Sequence, residues 1–218
     1  MLWHGVLYPR LLGLLPKNAR ALEIAPGFGR FTQYLKDLCH TLDIVDLTAE
    51  CIEACRHRFE SASNIRFHVN DGKSLGFLED ESIDFVFSFD SLVHVESSVM
   101  EAYVQELGRK LAPNGVGFLH HSNMGAFRDP ETGELLFENR HWRGESMSAA
   151  LFREFCNKSS LRCVGQELVN WGVPEPLTDC FSIIVRGDGP AETEIRENPN
   201  FMDEALALQA VRNFYRLD

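Results

Sequence analysis

Residues 21–35 read "ALEIAPGFGRFTQYL". A short apolar run carries an acid, Glu23, and Pro26, Gly27 and Gly29 follow it. Phe31, Tyr34, Leu35 and Leu38 then recur at helical spacing. A strand joined to a helix through so little side chain leaves room for a ligand to approach the backbone. On either side of this turn apolar runs and helical patterns alternate. "TLDIVD" (41–46) reads as the next strand, and Thr48 stands where it can cap a helix carrying Ile52, Cys55 and Phe59 on one face. "NIRFHVND" (64–71) alternates as a strand should. "IDFVFSFD" (83–90) is nearly all apolar, as a central parallel strand covered on both faces must be. Met100, Tyr103, Val104, Leu107 and Leu111 form a helical stripe that stops at Pro113 and Gly115, and "VGFLHHS" (116–122) is a fifth strand.

Residues 124–147 break this rhythm, being polar, irregular and too long for a tight connection. A helix from Ala149 to about Lys158 follows, then two strands, "RCVGQELVNW" and "CFSIIVRG". The alternation predicts an α/β fold, a doubly wound Rossmann-like sheet of seven strands, mostly parallel. No helix separates the closing pair of strands, so the last is expected to enter antiparallel. Residues 1–189 are read as this domain, with 124–147 as an insert capping the substrate. Residues 190–218 are read as a partly helical C-terminal extension, and a homo-oligomer through it is one expectation.

The chain has 218 residues, 44% hydrophobic and 24% charged, enough for one domain with a full core. A net charge of −11 argues against a nucleic-acid or anionic-membrane surface, which needs clustered Lys and Arg. No run of about 18 apolar residues suggests a membrane span. His4, Pro9 and Arg10 interrupt the apolar start, so no signal peptide is expected. The six cysteines include no C-x-x-C pair and read as reduced core thiols of a cytoplasmic protein.

An open α/β sheet binds its ligand at the C-terminal ends of its strands. Here those ends hold Glu23 to Gly29, Asp46, Asp71, Ser88 to His94 and His120 to Asn123. An acidic lining of this kind suits a ligand with positive charge and free ribose hydroxyls, and disfavours a pyrophosphate. Asp46 closes the second strand, 19 residues after Gly27, where a carboxylate can accept two hydrogen bonds from a ribose diol. The glycine pattern is A-x-G-x-G, with Thr32 where a dinucleotide fingerprint would place its third glycine.

"LEIAPGFGRFTQYL" followed by "IVDLTAECIEACRHRF" resembles the first two motifs of class I S-adenosylmethionine (SAM)-dependent methyltransferases. "NDGKSL", "IDFVFSFDSLVHV" and "LAPNGVGFLHHS" resemble the third, fourth and fifth-strand regions, so residues 20–122 are covered in detail and the strand order to about 186. One departure is Ala25 at the first glycine position. Alanine tolerates φ > 0 poorly, so the turn is expected to use φ < 0 there. The resemblance implies SAM as cofactor, with the backbone of Ala25 to Gly29 against its methionyl part and Glu23 near the amino end. It also implies Asp46 on the ribose and Leu47 flanking the adenine. Asp71 would accept from the adenine amine, Gly72 would donate a backbone N–H to the ring, and Ser88 and Phe89 would flank the sulfonium. Blander readings stay open: Asp71-Gly72 as a turn, Glu23 in a structural pair, Asp46 as a helix-capping acid.

Methyl transfer to a hydroxyl needs a base, and histidine suits neutral pH. His94 is the first candidate and His121 the second. His120 and His121 alternate along a strand, so only one of them faces the cleft. Asp90, His94 and His121 form the one metal alternative, but no ligand signature supports it and no metal is expected. Arg128 and the "RHWR" run (Arg140, His141, Trp142, Arg143) offer an aromatic face and guanidinium forks suited to sugar rings and to carboxylate or phosphate groups. Asp90, His120 and the four residues of that run, Arg140 to Arg143, are the expected substrate-binding residues. The nitrogen-directed D/N-P-P-Y/F signature is absent. O-methylation of a sugar or other small molecule, or of a glycan, therefore leads. A non-catalytic SAM-binding or partner-binding member is the alternative, and a NAD-linked oxidoreductase the more distant one.

Overall fold

The computed structural model describes residues 2–171, 176–189 and 192–214, with the side chains at 205, 212 and 213 outside that description. β1 (Arg20–Ile24) lies between β2 (Thr41–Asp46) and β4 (Ile83–Ser88), parallel to both. β3 (Ile65–Val69) extends the sheet beyond β2, and β5 (Leu111–Ser122) pairs in parallel with β4. β7 (Asp179–Arg186) enters antiparallel between β5 and β6 (Leu161–Val169), as expected from two strands without a crossover helix. β8 (Glu194–Asn198) pairs in parallel with β6, which completes an eight-stranded sheet ordered β3-β2-β1-β4-β5-β7-β6-β8.

Alternation along the central strands supplies two cores. Phe85 and Phe87 face one layer and Val86 the other, and Ala21 and Leu22 divide in the same way. The first layer holds a helical turn at Trp3–Leu7 running into α1 (Tyr8–Leu11), with α2 (Thr32–Leu35) and α3 (Ala49–Arg58). The second holds α4 (Ser97–Lys110) and α5 (Ala149–Asn157). The stripes read from the sequence point inward: Ile52, Cys55 and Phe59 on α3, and Met100, Tyr103, Val104 and Leu107 on α4, are buried.

Three local expectations change. The sheet has eight strands, not seven: "EIREN" (194–198) shows no apolar alternation because only Asn198 is buried, and the strand is held as an edge by its ladder to β6. The helix after β1 is a single turn, Thr32–Leu35. Pro113 to Gly115 form a bulge inside β5 and not a loop before it, since the register jumps between Ile83↔Leu111 and Phe85↔Val116. The C-terminal helix α6 (Phe201–Phe214) is present. Arg10 fastens it to the domain by pairing with both Glu167 and Glu204, at 2.8 and 2.9 Å. All six cysteines are free thiols. Among the described residues no helix is long and apolar enough to cross a membrane.

Candidate functional site

At the end of β1 the backbone turns through positive φ at Ala25 (57°), Gly27 (54°) and Gly29 (78°). The expectation of φ < 0 at Ala25 is therefore corrected. Three tethers impose the conformation: the Ala25 N–H donates to the Val45 carbonyl at 2.7 Å, and Ser91 Oγ donates to the Ala25 carbonyl at 2.9 Å. Ser88 Oγ does the same for Ile24 at 2.9 Å. A left-handed alanine costs about 1–2 kcal/mol, which hydrogen bonds to two neighbouring strands offset. The glycines differ in purpose. A Cβ on Gly29 would lie 2.5 Å from Phe59, whereas one on Gly27 would point into open space. Gly29 thus serves packing and Gly27 the cleft.

α3 holds this turn from behind, with Cys55 Sγ on the Gly27 carbonyl (3.2 Å) and Arg58 Nη1 on the Phe28 carbonyl (2.8 Å). Asp46 accepts the Gly27 N–H at 3.2 Å on one oxygen and the Thr48 N–H at 2.9 Å on the other. Leu47 (63% exposed) and Phe28 (68%) leave apolar surface open beside these acids. Gly72 approaches Leu47, for a Cβ there would sit 3.6 Å from it. The structure thus brings the glycine turn, Asp46, Leu47 and the Asp71-Gly72 turn to one edge.

The Asp71-Gly72 turn is also bonded within the protein, which uses up the Gly72 N–H but only one Asp71 oxygen. The Gly72 N–H donates to Asn70 Oδ1 at 2.9 Å. One Asp71 oxygen accepts the Lys73 and Ser74 N–H groups at 3.0 and 2.7 Å, and these bonds hold its carboxyl below the ordinary range. Ser88 is fully buried and braces Ile24, so it supports the turn from beneath instead of facing a sulfonium. Phe89 is buried against Phe31, His120 and Phe181. Asp90, at φ 59°, pairs with Arg30 across the strand ends at 2.8 Å.

Glu23 is buried and accepts from Thr32 Oγ1 at 2.6 Å; burial, reinforced by Asp46, raises its carboxyl from 4.5 to about 7. The free protein therefore gains most from Glu23 at low pH and loses that contribution as pH rises through about 7. These groups fit SAM: carboxylates for a sulfonium and an ammonium, a diol-binding acid, and a turn with open space above Gly27. A cation bound beside Glu23 would stabilise its ionised form, so binding below about pH 7 should expel a proton and affinity should rise with pH up to that point. Calorimetry near pH 6 in buffers of different ionisation enthalpy should register this release. Glu23→Gln should abolish it, and equal proton release in both would exclude Glu23 as the source.

Asp46→Ala should weaken SAM binding by roughly 30- to 1000-fold, the loss of one or two charge-assisted bonds worth roughly 2–4 kcal/mol. The fold should lose only about 1 kcal/mol from the Thr48 and Gly27 N–H groups. Titration calorimetry showing unchanged affinity would remove the ribose assignment.

The three histidines separate. His94, exposed on the turn Leu92–His94, contacts the Trp142 carbonyl through Nδ1 at 2.9 Å. A carbonyl only accepts, so Nδ1 carries the hydrogen and the Nε2 lone pair is left. His120 is sealed: the Asp90 N–H donates to its Nδ1 at 3.1 Å, which leaves the proton on Nε2, 3.4 Å from Asp179. Burial keeps this ring neutral, against the pull of Asp179. His121 is corrected as a base candidate. It faces the opposite side of the sheet, stacked on Phe152 and bonded to Ser182 Oγ at 2.8 Å, and burial pushes it down to about 4. Asp90, His94 and His121 consequently do not converge. Among the described residues no cluster of three His, Cys, Asp or Glu could hold a metal ion.

The insert packs back onto the turn after β4. The Gly144 N–H donates to the Val93 carbonyl at 2.8 Å, and a Cβ on Gly144 would lie 2.0 Å from the Val95 oxygen. Ser122 Oγ holds the Gly144 carbonyl at 2.7 Å. Arg128 reaches the Glu145 carbonyl at 3.2 Å. Trp142, in the left-handed region at φ 49°, gives its carbonyl to His94 and leaves its ring 81% exposed. Arg140 is exposed, His141 half-buried and Arg143 buried. Arg143 is no solvated loop residue: its Nε lies 2.7 Å from the buried Asp179, and its guanidinium lies over Trp171. Asp179, Ser91, Arg30 and Trp171 were not singled out from the sequence. A lone acid opening an apolar strand and a serine after a strand are too common to signal anything.

Residues 21–115 match the family described as "Methyltransferase domain". The chain is 30% identical to nodulation protein S of Rhizobium tropici over 112 residues, which are 51% of this chain and 44% of that protein. It is 28% identical to phosphoethanolamine N-methyltransferase 1 of Triticum aestivum over 152 residues, 67% of this chain and 30% of that one. The chain thus spans less than half the length of these two curated relatives. Among solved structures, the PH0226 protein of Pyrococcus horikoshii superposes with a TM-score of 0.64 at 22% identity, over 83% of this chain and 87% of that one. An S-adenosylmethionine-dependent methyltransferase of Mesorhizobium loti gives 0.64 at 15% identity, over 85% of this chain and 100% of that one. These likenesses give residues 21–115 a methyltransferase domain and the sheet the fold of S-adenosylmethionine-dependent methyltransferases, and the acidic strand ends and glycine turn fit S-adenosylmethionine.

Proposed function

We propose that this chain methylates a hydroxyl of a sugar, another small molecule or a glycan, bound between the donor cleft and the insert, with His94 as proton acceptor. The observation that carries the reading is the tautomer of His94. Its Nδ1–H is committed to the Trp142 carbonyl, so Nε2 is the free basic nitrogen at the strand ends. SAM supplies an activated methyl group when bound. The chain's own residues do the remainder: the Ala25 to Gly29 turn and Asp46 orient the donor, the Phe89 cluster keeps water from beneath it, and His94 takes the acceptor's proton. Trp142 offers a flat apolar face to a sugar ring at the rim.

A second reading is an amine acceptor, favoured by the similarity to a wheat protein named for N-methylation of phosphoethanolamine. His94 would then discharge an ammonium before transfer. Matched acceptors decide between them: a monosaccharide and its amino-sugar counterpart, incubated with methyl-labelled SAM. A methyl ether as product is expected, and methylamine alone would replace the hydroxyl reading.

A further inference from the structure

The insert encloses a pocket of about 230 Å³ between its own chain and the start of β7, with Met124, Phe137, Asn139, Arg140, Arg143 and Thr178 among its walls. Arg143 is the unusual member. Its side chain is 4% exposed, its Nε sits 2.7 Å from Asp179 Oδ1, and Nη1 donates to the His141 carbonyl at 3.3 Å. Nη2 is buried with no hydrogen-bond partner among the described residues, and Nε and Asp179 Oδ1, though close, are not aligned for a hydrogen bond either. A buried guanidinium with an idle N–H₂ group is costly, and an acceptor oxygen arriving there relieves that cost. Asp179 Oδ1 lies on the Nε side of the guanidinium and 3.4 Å from His120 Nε2, while Oδ2 accepts from Thr178 Oγ1 at 3.2 Å.

The rim supplies a second donor. Arg140 lines the same pocket and among the described residues pairs with Glu138, at 3.3 Å, with both side chains more than two-thirds exposed. A pair so open to solvent is weak and can be exchanged for a ligand. Glu138 also lines the pocket, so it repels an anion until Arg140 turns away from it. Two guanidinium groups, one held by Asp179 and Trp171 and one exposed at the rim, supply the kind of donors that a phosphate or carboxylate takes.

We propose that this pocket is an oxyanion subsite, in which Arg143 Nη2 and Arg140 hold a phosphate or carboxylate group of the acceptor while its nucleophile reaches His94. The two ends are close along the chain. Trp142, between the two arginines, gives its carbonyl to His94, and Arg143 leads through Asp179 and His120 to the Asp90 N–H. The inference rests on the acceptor lying under the insert.

The test is thermal unfolding of the full chain in inorganic phosphate, acetate or methyl glucoside, against chloride at equal ionic strength. At ten times Kd the ligand should raise Tm by about 3–6 °C. Phosphate and acetate separate the two anions, and the neutral glucoside should give no comparable rise. Arg143→Lys keeps a cation for Asp179 but removes Nη2, and should lose the shift. Arg140→Gln, at an exposed position that cannot compromise folding, should reduce it. No shift beyond chloride, an equal shift in both variants, or an equal shift with methyl glucoside overturns the subsite. Methyl transfer to phosphorylated and unphosphorylated sugars separates this from the acceptor reading. Phosphate protection lost in Arg143→Lys without preference for the phosphorylated sugar upholds the subsite and overturns the placement of the acceptor.

Discussion

Gly27→Val should reduce SAM affinity by about 100-fold or more. Two effects of different origin add. At φ 54° a β-branched residue is strained by roughly 1–3 kcal/mol, so the turn shifts and the N–H that Asp46 accepts at 3.2 Å moves with it. The new side chain also enters the open space above the turn, where no protein atom lies within 4 Å of a Cβ, and occupies volume a ligand needs. Together these approach 3 kcal/mol, or about 100-fold in Kd. The absence of a clash with the protein means that the fold persists, with Tm lower by about 2–12 °C from the strain alone. Gly27→Ala is the graded control, with less strain and less intrusion. Equilibrium titration with SAM measures both variants, and a valine variant of unchanged Kd would detach this turn from the cofactor.

His94→Ala should lower kcat by roughly 10²–10⁴-fold while leaving SAM affinity almost unchanged, if the imidazole removes a proton from the acceptor. The pH profile of the rate should also differ between the parent and the variant. His121→Ala supplies the contrast. Burial holds that ring at about 4, so it is neutral throughout the working range and its removal leaves the rate profile intact. It should instead cost about 2–4 kcal/mol of stability, since it takes the acceptor from the Ser182 hydroxyl proton, though Gln166 still donates to Oγ, and empties the space against Phe152. The depressed value also has a sign. Between the ordinary 6.5 and about 4 the unfolded chain binds more protons, so this contribution to stability falls as the medium is acidified. Retention of both rate and pH profile in His94→Ala would leave positioning alone as the mechanism and favour an amine acceptor.

Much of the molecule could be read along the chain. The order of strands and helices, the buried faces of α3 and α4, and the gathering of Glu23, Asp46 and Asp71 at strand ends depend on local periodicity and on strand–helix alternation. Hydrophobic spacing shows which face of an element is buried, and right-handed crossovers then leave few topologies for a parallel sheet. The open turn at Gly27 was visible for the same reason: glycine and proline mark backbone geometry within a few residues.

Tertiary structure decided the rest, wherever a residue's role depends on a partner far away in the chain. Ala25 takes positive φ because Val45 and Ser91, 20 and 66 residues away, hold its peptide groups, a constraint that no local preference of alanine reveals. Alternation put His120 and His121 on opposite faces, but only the packing of β7 and α5 determined that both would be sealed and that His94 would keep a free nitrogen. β8 was invisible because an edge strand is held by backbone hydrogen bonds, which every residue type except proline can make. Arg143 reads as a loop arginine until Asp179 arrives from β7 to neutralise it. A sequence displays side-chain chemistry and period; the desolvation and pairing that turn such a group into a site exist only once distant segments have closed around it.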